Sequence, residues 1–491
     1  MPSQEDVWAD DLIGGRRESA EMLYQLVIHK SAEQQYREKE ALCFTLDGDW
    51  GAGKTFFLDR FTRQIELQGH SVVRFDAWVN DLSEQPLLGF MVELREALQT
   101  IASEGARPSH AAQMRLKHVM KNAGKALLPA MLAAAKHTAM RTLGEEAVEA
   151  VTGISNEATG VDGQEIALKA GEAFSAALDG YQDMRKAVGE LRMSIASLLA
   201  ELEEENRLKL PLFVVIDELD RCRPSYALRL LEGVKHLFAS PNVCFVVATN
   251  TKQLSESVRA VYGAGFDGHQ YLKKFFAFEF RIPTGSSLRF ASTLLTQQSV
   301  LVTRKSISGL PGEDTNHHQR ISAALDLVAK AFRLTPRSLK QVLFVAEAAA
   351  LGIPSKHKPH AIYLLAVAAC AHSDPHALPT ALRSKNPRQE VAKVFEQLEF
   401  IDRMIADTGP NHVSLRTLLL DYATWSTTDL GTLMNNNQVD WNNASTPRYP
   451  RILALSFSAE IPSDSLHTHL VSPSITKYPE LVITAGCFLS T

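Results

Sequence analysis

The residues with the clearest chemical meaning lie in one short segment, which reads GDWGAGKT over residues 48–55. It fits the pattern G-x-x-x-x-G-K-[ST], in which glycines let the backbone turn sharply and direct its N–H groups toward a phosphate chain. Lys54 can reach the terminal phosphates, and the hydroxyl of Thr55 can ligate Mg²⁺. The segment therefore predicts a site for ATP and magnesium. We expect the nucleotide to be held by Gly48, Asp49, Trp50, Gly51, Ala52, Gly53, Lys54, Thr55 and Phe56.

A second set of polar residues follows a strand-like run in LPLFVVIDELDRCRP, residues 210–224. The apolar residues 213–216 are typical of a strand covered on both faces of a parallel sheet. Asp217 comes directly after them, at the carboxyl end of the strand, where such sheets bind ligands. Its carboxylate can hold Mg²⁺ together with Thr55, and Glu218 can polarise the attacking water as general base. A solvated turn is the alternative for both carboxylates.

A further strand is predicted by VCFVVATN, residues 243–250. Asn250 or Thr249, at its carboxyl end, would face the γ-phosphate and sense its presence. An ordinary turn residue is the alternative for each.

A basic residue at the start of a helix gives another candidate. The segment SAALDLVAKAFRLTPRSLKQVLFVAEAAALG, residues 322–352, predicts two helices, the second beginning at Pro336 with Thr335 as N-cap. Arg337 then lies in a first helical turn, where a cation opposes the helix dipole. This placement favours a use in phosphate binding, and an ordinary surface arginine is the alternative.

The elements that must position these residues alternate between strand and helix patterns. ALCFTL at 41–46 predicts a buried strand before the glycine segment, and TFFLDRFTRQIEL at 55–67 predicts a helix after it. VVRF at 72–75 is a third strand candidate. Strand, loop and helix in this order are the context that a phosphate-binding loop requires.

Together these segments resemble the KAP family of P-loop NTPases, a branch of the additional-strand ATPases related to STAND and AAA+ proteins. The resemblance rests on DGDWGAGKT, VVRFDAWVND, VIDELDRCRPSYALRLLEGVKHLFASPNVCFVVATN and YLKKFFAFEFRIP, and it extends over residues 5–350. It implies ATP hydrolysis with Mg²⁺. It also implies an α/β fold with a P-loop NTPase parallel-sheet core, a long helical insert and a C-terminal helical lid domain.

The resemblance also implies roles for individual residues. The segment DLIGGRRESAEML resembles the N-terminal element of the family, in which Ile13 and Gly14 would pack near the adenine. Trp78 corresponds to a position close to the nucleotide, with a core aromatic as the alternative. Arg337 corresponds to the sensor 2 arginine, which reaches the γ-phosphate from a helical lid in related families.

Two lysines lie where related ring ATPases carry an arginine finger. Lys273 and Lys274 follow the predicted sensor strand and precede the run FAFEFRIP. Lysine lacks the bidentate fork of arginine, so a solvated helix end fits these residues as well as a finger does.

The landmarks divide the chain into five predicted parts. They are an N-terminal part of the core with the phosphate loop (1–102), a helical insert (103–190), a second part of the core (191–284), a helical lid domain (285–425) and a tail with short strands or a docking segment (426–491).

The insert has an uneven charge distribution. Residues 105–144 contain seven Lys and Arg residues and no acid, whereas residues 145–183 contain nine acids and one lysine. One interpretation is a basic arm for an anionic membrane surface, nucleic acid or an acidic partner. We favour the alternative, in which the two halves pair as a helical hairpin. The family often has membrane-spanning helices here, but the apolar stretch between Lys125 and Lys136 is too short to span a bilayer.

The whole-chain composition is that of a globular protein rather than a general nucleic-acid binder. The 491 residues have a net charge of -5, and the five cysteines form no C-x-x-C pair, which suits a reducing compartment. The acidic N-terminus has no apolar signal-peptide core, and no transmembrane helix is predicted. We therefore expect a cytoplasmic protein, with peripheral membrane association as an alternative and nucleic-acid binding not indicated.

The sequence predicts a Mg-dependent ATPase that acts as a conformational switch, with Lys54, Asp217 and Glu218 carrying the chemistry. The resemblance implies a role in bacterial defence against phage or in regulation. It is also compatible with homo-oligomers or companion effector proteins. The alternatives are a nucleotide-dependent assembly scaffold with little turnover and a peripheral membrane NTPase.

Overall fold

The computed structural model describes most of the chain. The described ranges are 6–82, 85–103, 109–143, 186–284, 288–308, 310, 316–355, 357–408, 411–427 and 474–486. These residues form two compact units. The first comprises Met1–Ala9, Arg16–Gly48 and Lys54–Ile282, and the second comprises Asp10–Gly15, Asp49–Gly53 and Pro283–Thr491.

A five-stranded parallel sheet forms the centre of the first unit. Its order is β2-β3-β4-β1-β5, and each neighbouring pair is parallel. The strands are β1 (Leu42–Asp47), β2 (His70–Asp76), β3 (Lys209–Asp217), β4 (Val243–Thr249) and β5 (Phe278–Arg281). The predicted parallel-sheet core is thus confirmed, and the four predicted strand segments all lie in this sheet.

The strands are continuously apolar because both faces of the sheet are covered. Successive residues of β3 alternate between two cores: Val214 belongs to one, and Val215 belongs to the other. Phe57 and Phe61 of the helix after β1 fill the second of these cores, with both side chains fully buried.

Helices flank this sheet on both faces. They are α1 (Arg16–Ser31), α2 (Gln34–Glu38), α3 (Lys54–Leu67), α4 (Ala77–Asn80), α5 (Pro86–Ser103), α6 (His110–Leu143), α7 (186–204), α8 (Pro224–Leu237), α9 (Thr251–Tyr262) and α10 (Gly268–Leu272), with a 3-10 turn at Leu219–Arg221.

The basic half of the insert forms α6, whose apolar side packs into the same core as α7. Two of its basic side chains pair with acids of α7: Arg115 lies 2.9 Å from Glu201, and Lys125 lies 3.6 Å from Glu190. The acidic half at 145–183 lies outside the described residues, so the predicted pairing of the two halves stays a prediction. Within the described ranges, no helix combines the length and the apolar character that crossing a bilayer requires.

The second unit is mainly helical and has its own core. Its elements are α11 (Leu288–Leu294), α12 (Val300–Thr303), α13 (His317–Ala331), α14 (Pro336–Leu351), α15 (Ala361–Ser373), α16 (Ala377–Leu382), α17 (Pro387–Gln397), β6 (Met404–Thr408), β7 (Asn411–Ser414), α18 (Leu415–Thr427), a 3-10 turn at Ser474–Lys477 and α19 (Tyr478–Gly486).

The break between α13 and α14 lies where the Thr-Pro pair predicted it. The Thr335 side chain accepts a hydrogen bond from the Ser338 N–H as an N-cap, and Pro336 is the first helical residue. A proline in this position loses no helical hydrogen bond. The C-terminal helical domain of the predicted fold class is therefore present.

Two expectations for this unit were wrong. Met404–Thr408 and Asn411–Ser414 form the antiparallel pair β6–β7 within a region that the sequence predicts as helical. For the tail segment ELVITAGCFL (480–489) the sequence leaves a short strand or a docking segment open, and the strand alternative is wrong: residues 480–486 belong to α19, because Tyr478, Val482 and Ala485 are spaced to bury one helical face. The other strand candidate of the tail, RILALSF at 451–457, lies outside the described residues.

Candidate nucleotide-binding site

Lys54 is the first residue of α3, directly after the glycine segment. Its Nζ donates a hydrogen bond to the carbonyl oxygen of Gly48 at 2.8 Å and lies 3.7 Å from the carboxylate of Asp220. Lys54 is buried, and the side chain of Asp220 has no exposed surface. An ammonium held in this way faces the start of the loop, where the phosphates of a nucleotide bind in proteins with this motif.

The carboxyl ends of β1 and β4 are fixed to each other by Asp47. Its Oδ1 accepts hydrogen bonds from the backbone N–H of Thr251 at 2.8 Å and from the Thr251 hydroxyl at 2.7 Å. The Gly48 N–H donates to the carbonyl oxygen of Thr249 at 3.3 Å. The start of the phosphate loop is therefore anchored to the neighbouring strand before the glycines begin to turn.

Asp217 lies beside Asp76, since β2 and β3 place these two residues in register at their carboxyl ends. Burial raises the pKa of Asp217, and the negative charge of Asp76 raises it further, whereas the Glu218 N–H, Arg74 and Lys54 oppose the shift. The Glu218 N–H donates to Asp217 Oδ1 at 2.8 Å. Two neighbouring carboxylates at a strand end, within electrostatic reach of Lys54, suit a divalent cation.

The described residues contain no group of three or more His, Cys, Asp or Glu side chains that could hold a metal ion by themselves. This fits a magnesium ion of the phosphate-loop kind, which is held through one or two protein oxygens, water and the substrate phosphates. Thr55, the second residue of α3, and Asp217 are the protein ligands that the sequence predicts for it. Both residues are at least partly accessible.

Glu218 has a backbone conformation that non-glycine residues rarely adopt, with φ at +59°. Burial raises the pKa of its carboxyl group and the charge of Asp217 raises it further, whereas Arg221 lowers it. The Nε of Arg221 lies 2.7 Å from Glu218 Oε2, and the same guanidinium lies 5.6 Å from the ring centre of Trp78. The general-base candidate is therefore held by an ion pair that the sequence did not predict.

The two candidates for sensing the γ-phosphate make different contacts. The Asn250 side chain accepts a hydrogen bond from the Gln253 N–H at 3.2 Å and so caps α9. The Thr249 hydroxyl lies 3.5 Å from Asp220 Oδ1. Both residues are buried at the end of β4.

In the second unit, the loop segment Asp49–Gly53 contacts the start of α14. The Arg337 N–H donates to the carbonyl oxygen of Gly51 at 3.4 Å. A Cβ added to Gly51 would lie 2.5 Å from the Cβ of Arg337 and 3.0 Å from the hydroxyl of Thr335. Gly51 and Gly53 both have positive φ, at +81° and +90°. The sequence thus predicted both partners of this contact but gave no sign that they touch.

Three other residues that the sequence predicts at the nucleotide, Ile13, Trp50 and Phe56, differ in their surroundings. Ile13 is half-buried, and its N–H donates to Asp11 Oδ1 at 3.2 Å within the second unit. The Trp50 side chain is 49% exposed. The ring of Phe56 has the Arg60 guanidinium 3.5 Å from its centre.

Sequence reasoning missed Asp220 and Arg221, which both come from the 3-10 turn after β3. The signal for Asp220 was present, because it follows Asp217 by three residues in DELD and a short helical turn brings it back to the strand end.

The core-aromatic interpretation of Trp78 was wrong, since its side chain is 54% exposed. Lys273 and Lys274 are both exposed, after the end of α10.

A parallel sheet with a glycine loop between β1 and α3, and with carboxylates at the end of β3, defines the P-loop NTPase class. The model of the KAP family P-loop domain matches residues 16–346. The chain therefore belongs to the KAP family of P-loop proteins, and this membership implies nucleotide binding.

Comparisons with individual proteins add little. A search of the curated proteins found no match. Among solved structures, the chain is similar to the ORC2 protein of Aeropyrum pernix in its ADPNP–ADP complexes, with 13% identity and a TM-score of 0.30, over 98% of this chain and 97% of that chain. At this TM-score the likeness does not establish a shared arrangement of the two chains.

Proposed function

We propose that this protein is a Mg-dependent ATPase that uses hydrolysis as a conformational switch. The observation that carries the proposal is the position of Lys54, 3.7 Å from Asp220 and within electrostatic reach of Asp217 and Glu218. A lysine after the glycine loop and carboxylates at the end of β3 are the groups with which P-loop NTPases bind a magnesium triphosphate and position the attacking water.

Each side chain has one task in this proposal. Lys54 leaves the Gly48 carbonyl oxygen and binds the β- and γ-phosphates, and Thr55 and Asp217 are the residues that would hold magnesium. The metal supplies charge neutralisation for the phosphates when it is bound. Glu218 accepts the proton of the attacking water, for which its raised pKa is an advantage. Thr249 or Asn250, together with Arg337, senses the γ-phosphate.

The first experiment measures ATP binding and steady-state hydrolysis by the full chain with Mg²⁺. Lys54→Ala should remove binding. Glu218→Gln should retain binding and reduce turnover by about 10²-fold or more, as expected for loss of a general base. Arg63→Gln, an exposed substitution on the outer turns of α3, serves as the control. Absence of ATP binding by the unaltered protein in calorimetry would refute the proposal.

The switch requires that the nucleotide state change the rest of the chain. The contact between Arg337 and Gly51 supports this, because it joins the first turn of α14 to the loop that would hold the phosphates. We further propose the five-part division at 102, 190, 284 and 425, with the insert or the C-terminal part transmitting the change. Hydrogen exchange with ATP and with ADP should differ in α14, and identical exchange would exclude a switch of this kind.

The biological proposal is a cytoplasmic role in bacterial defence against phage or in regulation, through a homo-oligomer or companion effectors. Family membership supports it. Cells expressing the protein and its neighbouring genes should restrict phage plating, and Lys54→Ala should remove the restriction. Equal plating with both forms would exclude the defence role.

A scaffold with little turnover is the second candidate, and the Arg221–Glu218 ion pair favours it because it occupies the base. In that case ATP binds tightly, turnover is negligible, and light scattering shows an ATP-dependent increase in mass.

A peripheral membrane NTPase is less favoured, because Arg115 and Lys125 of the basic helix are paired. Flotation of the full chain with anionic vesicles at low salt tests it.

A further inference from the structure

A cavity of about 370 Å³ lies at the amino ends of β1, β4 and β5, whereas the phosphate loop follows the carboxyl end of β1. Ala41 and Cys43, at the start of β1, line it, and so do Phe276 and Ala277, just before β5. The phosphate loop follows the other end of β1, so the two sites are separated by the length of that strand. All of the lining residues belong to the first unit.

The charged side chains around this cavity are mostly basic. Arg192 of α7, Lys235 of α8 and Lys274, after α10, face a single acid, Glu40. Counting Lys, Arg, Asp and Glu, the lining has three positive charges and one negative charge. The three cations come from three separate elements, so their convergence does not follow from a run of basic residues in the sequence.

Arg192 has a structural role that accounts for only part of its guanidinium. Its Nη2 donates to the carbonyl oxygens of Lys235 at 3.2 Å and His236 at 2.6 Å, which caps the C-terminus of α8. Its Nε is buried and has no hydrogen-bond partner among the described residues. Leaving a buried charged donor unpaired is unfavourable. The guanidinium therefore brings its positive charge to the wall of the cavity.

The lysines retain donors as well. The Nζ of Lys235 donates to the carbonyl oxygen of Lys274, which uses one of its three N–H groups. It also lies 5.3 Å from the ring centre of Phe275. Lys274 Nζ lies 5.4 Å from the ring centre of Tyr271 and makes no hydrogen bond to another described residue. Both lysines are solvent-exposed, so a ligand can reach them.

The remaining lining is apolar and aromatic. Phe245, Phe275 and Phe276 contribute rings, and Leu231 and Val234 contribute aliphatic surface. The volume lies within the range of ordinary small-molecule sites, which combine apolar walls with a few polar groups. Cations beside aromatic walls suit a ligand that has an anionic group and a flat apolar group.

We propose that this cavity is a second ligand site, separate from the phosphate loop, for a small organic phosphate with a flat ring. Lys235 and Lys274 bind the phosphate group, the positive charge of Arg192 adds to the attraction, and the phenylalanine rings contact the flat group. The site does not depend on ATP hydrolysis at the phosphate loop.

The experiment uses calorimetry on the full chain carrying Lys54→Ala, so that the phosphate loop does not bind the probes. The probes are phenyl phosphate, AMP, inorganic phosphate and phenol. Phenyl phosphate should bind with one site per chain, inorganic phosphate more weakly, and phenol without measurable affinity. Binding of AMP as well would identify a nucleotide as the source of the phosphate, and its failure beside phenyl phosphate binding would indicate another aromatic phosphate.

Variants then locate the bound probe. Lys235→Glu should weaken phenyl phosphate by about tenfold or more, the effect of about 1.4 kcal/mol. Arg229→Glu is the matched control, since Arg229 is exposed on the same helix and does not line the cavity. Lys274→Ala, at an exposed position, is the second variant. It is used instead of an Arg192 variant because Arg192 caps α8, and replacing Arg192 can unfold the site.

Two results would overturn the proposal. The first is no binding of phenyl phosphate or AMP at millimolar concentration. The second is binding that Lys235→Glu and Arg229→Glu weaken equally. Neither result bears on ATP binding by Lys54, so failure here is distinguishable from failure of the proposed function.

Discussion

Gly51 is subject to two constraints, its backbone conformation and a close contact with Arg337, and both exclude a side chain. Its φ of +81° is unfavourable for any residue with a Cβ, by about 1–2 kcal/mol, and the added Cβ would lie 2.5 Å from the Cβ of Arg337. Either the glycine loop or the start of α14 would have to move to make room. The loop is therefore shaped by its contact with α14 as well as by the phosphates that it is expected to bind.

This predicts a specific effect of Gly51→Ala. ATP affinity should fall by about tenfold or more, because the loop amides lose their arrangement. Gly263→Ala is the matched control: its φ is +103°, but nothing lies within 4 Å of an added Cβ. Calorimetry of both variants makes the comparison, and equal affinities would show that the contact with Arg337 does not shape the loop.

Arg221 provides a second prediction at the residue scale. Its ion pair with Glu218 is partly exposed, and pairs of this kind contribute about 0.2–1 kcal/mol. If the pair restrains the base, Arg221→Ala should raise the ATP turnover number by up to about fivefold. Arg223→Ala is the control, because Arg223 comes from the same segment and pairs with Asp81 instead.

The sign of the change decides the role of Arg221. An increase that Arg223→Ala does not reproduce indicates a restraint on Glu218. A decrease would mean that Arg221 assists phosphate cleavage, and the restraint would then be rejected. Steady-state hydrolysis at saturating ATP measures the difference.

At the scale of elements, His70 joins α1, β2 and β3. The Tyr24 hydroxyl of α1 lies 3.2 Å from its Nε2, and Nδ1 lies 3.0 Å from the carbonyl oxygen of Lys209 in β3. Burial lowers the pKa of His70 below 6.5, the nearby Lys209 charge lowers it too, and the backbone carbonyls oppose the shift. At pH values between the folded and the unfolded pKa, His70 is therefore neutral in the folded protein and protonated in the unfolded chain.

The pH dependence follows from this direction. The contribution of His70 to stability is complete above its unfolded pKa of about 6.5 and is lost as the pH falls through the folded value. Urea unfolding between pH 7.5 and pH 5 should show stability falling with pH, and His70→Gln should reduce that slope. His29→Gln, at an exposed position of α1, should leave the slope unchanged. Equal slopes in all three proteins would contradict the prediction.

The sequence predicted elements where local patterns and packing agree. The run at 213–216 is apolar at every position because both faces of β3 are buried, and Thr335 and Pro336 start α14 with ordinary capping chemistry. The tail was misjudged because Val482 and Ile483 resemble a strand locally, and only packing in the core of the second unit selects a helix.

The site was predictable to the extent that its motif is contiguous. Lys54, Thr55 and Asp217 follow from segments with fixed spacing. The Arg221–Glu218 pair depends on the left-handed backbone of Glu218, and the Gly51–Arg337 contact joins residues almost 300 positions apart. No local pattern encodes either of these, because both arise from the tertiary arrangement.

At the scale of the whole molecule, the two compact units bury their apolar residues in different ways. The first unit is built on the sheet, and the basic cavity lies at the amino ends of its strands β1, β4 and β5. The second unit is built on α13, α14 and α15, and α19 from the far end of the chain completes its core. The last described residues are thus part of the second core.

Substitution of Tyr478 in α19 tests whether this helix stabilises the second unit. Its side chain is fully buried, and its hydroxyl accepts a hydrogen bond from the His360 N–H at 2.9 Å. Tyr478→Ala should reduce the free energy of unfolding of the second unit by about 3–5 kcal/mol, as for other large aromatic residues in cores. Tyr478→Phe removes only the hydroxyl and should cost about 1–2 kcal/mol.

Hydrogen exchange separates a local effect from a general one. In Tyr478→Ala, amides of α14 and α15 should exchange faster, because α19 packs against both helices. Amides of β1 and β4 should keep their protection, since those strands belong to the core clusters of the first unit. Equal acceleration in both units would mean that they unfold as one cooperative body, and the division into two independently stabilised units would then be wrong.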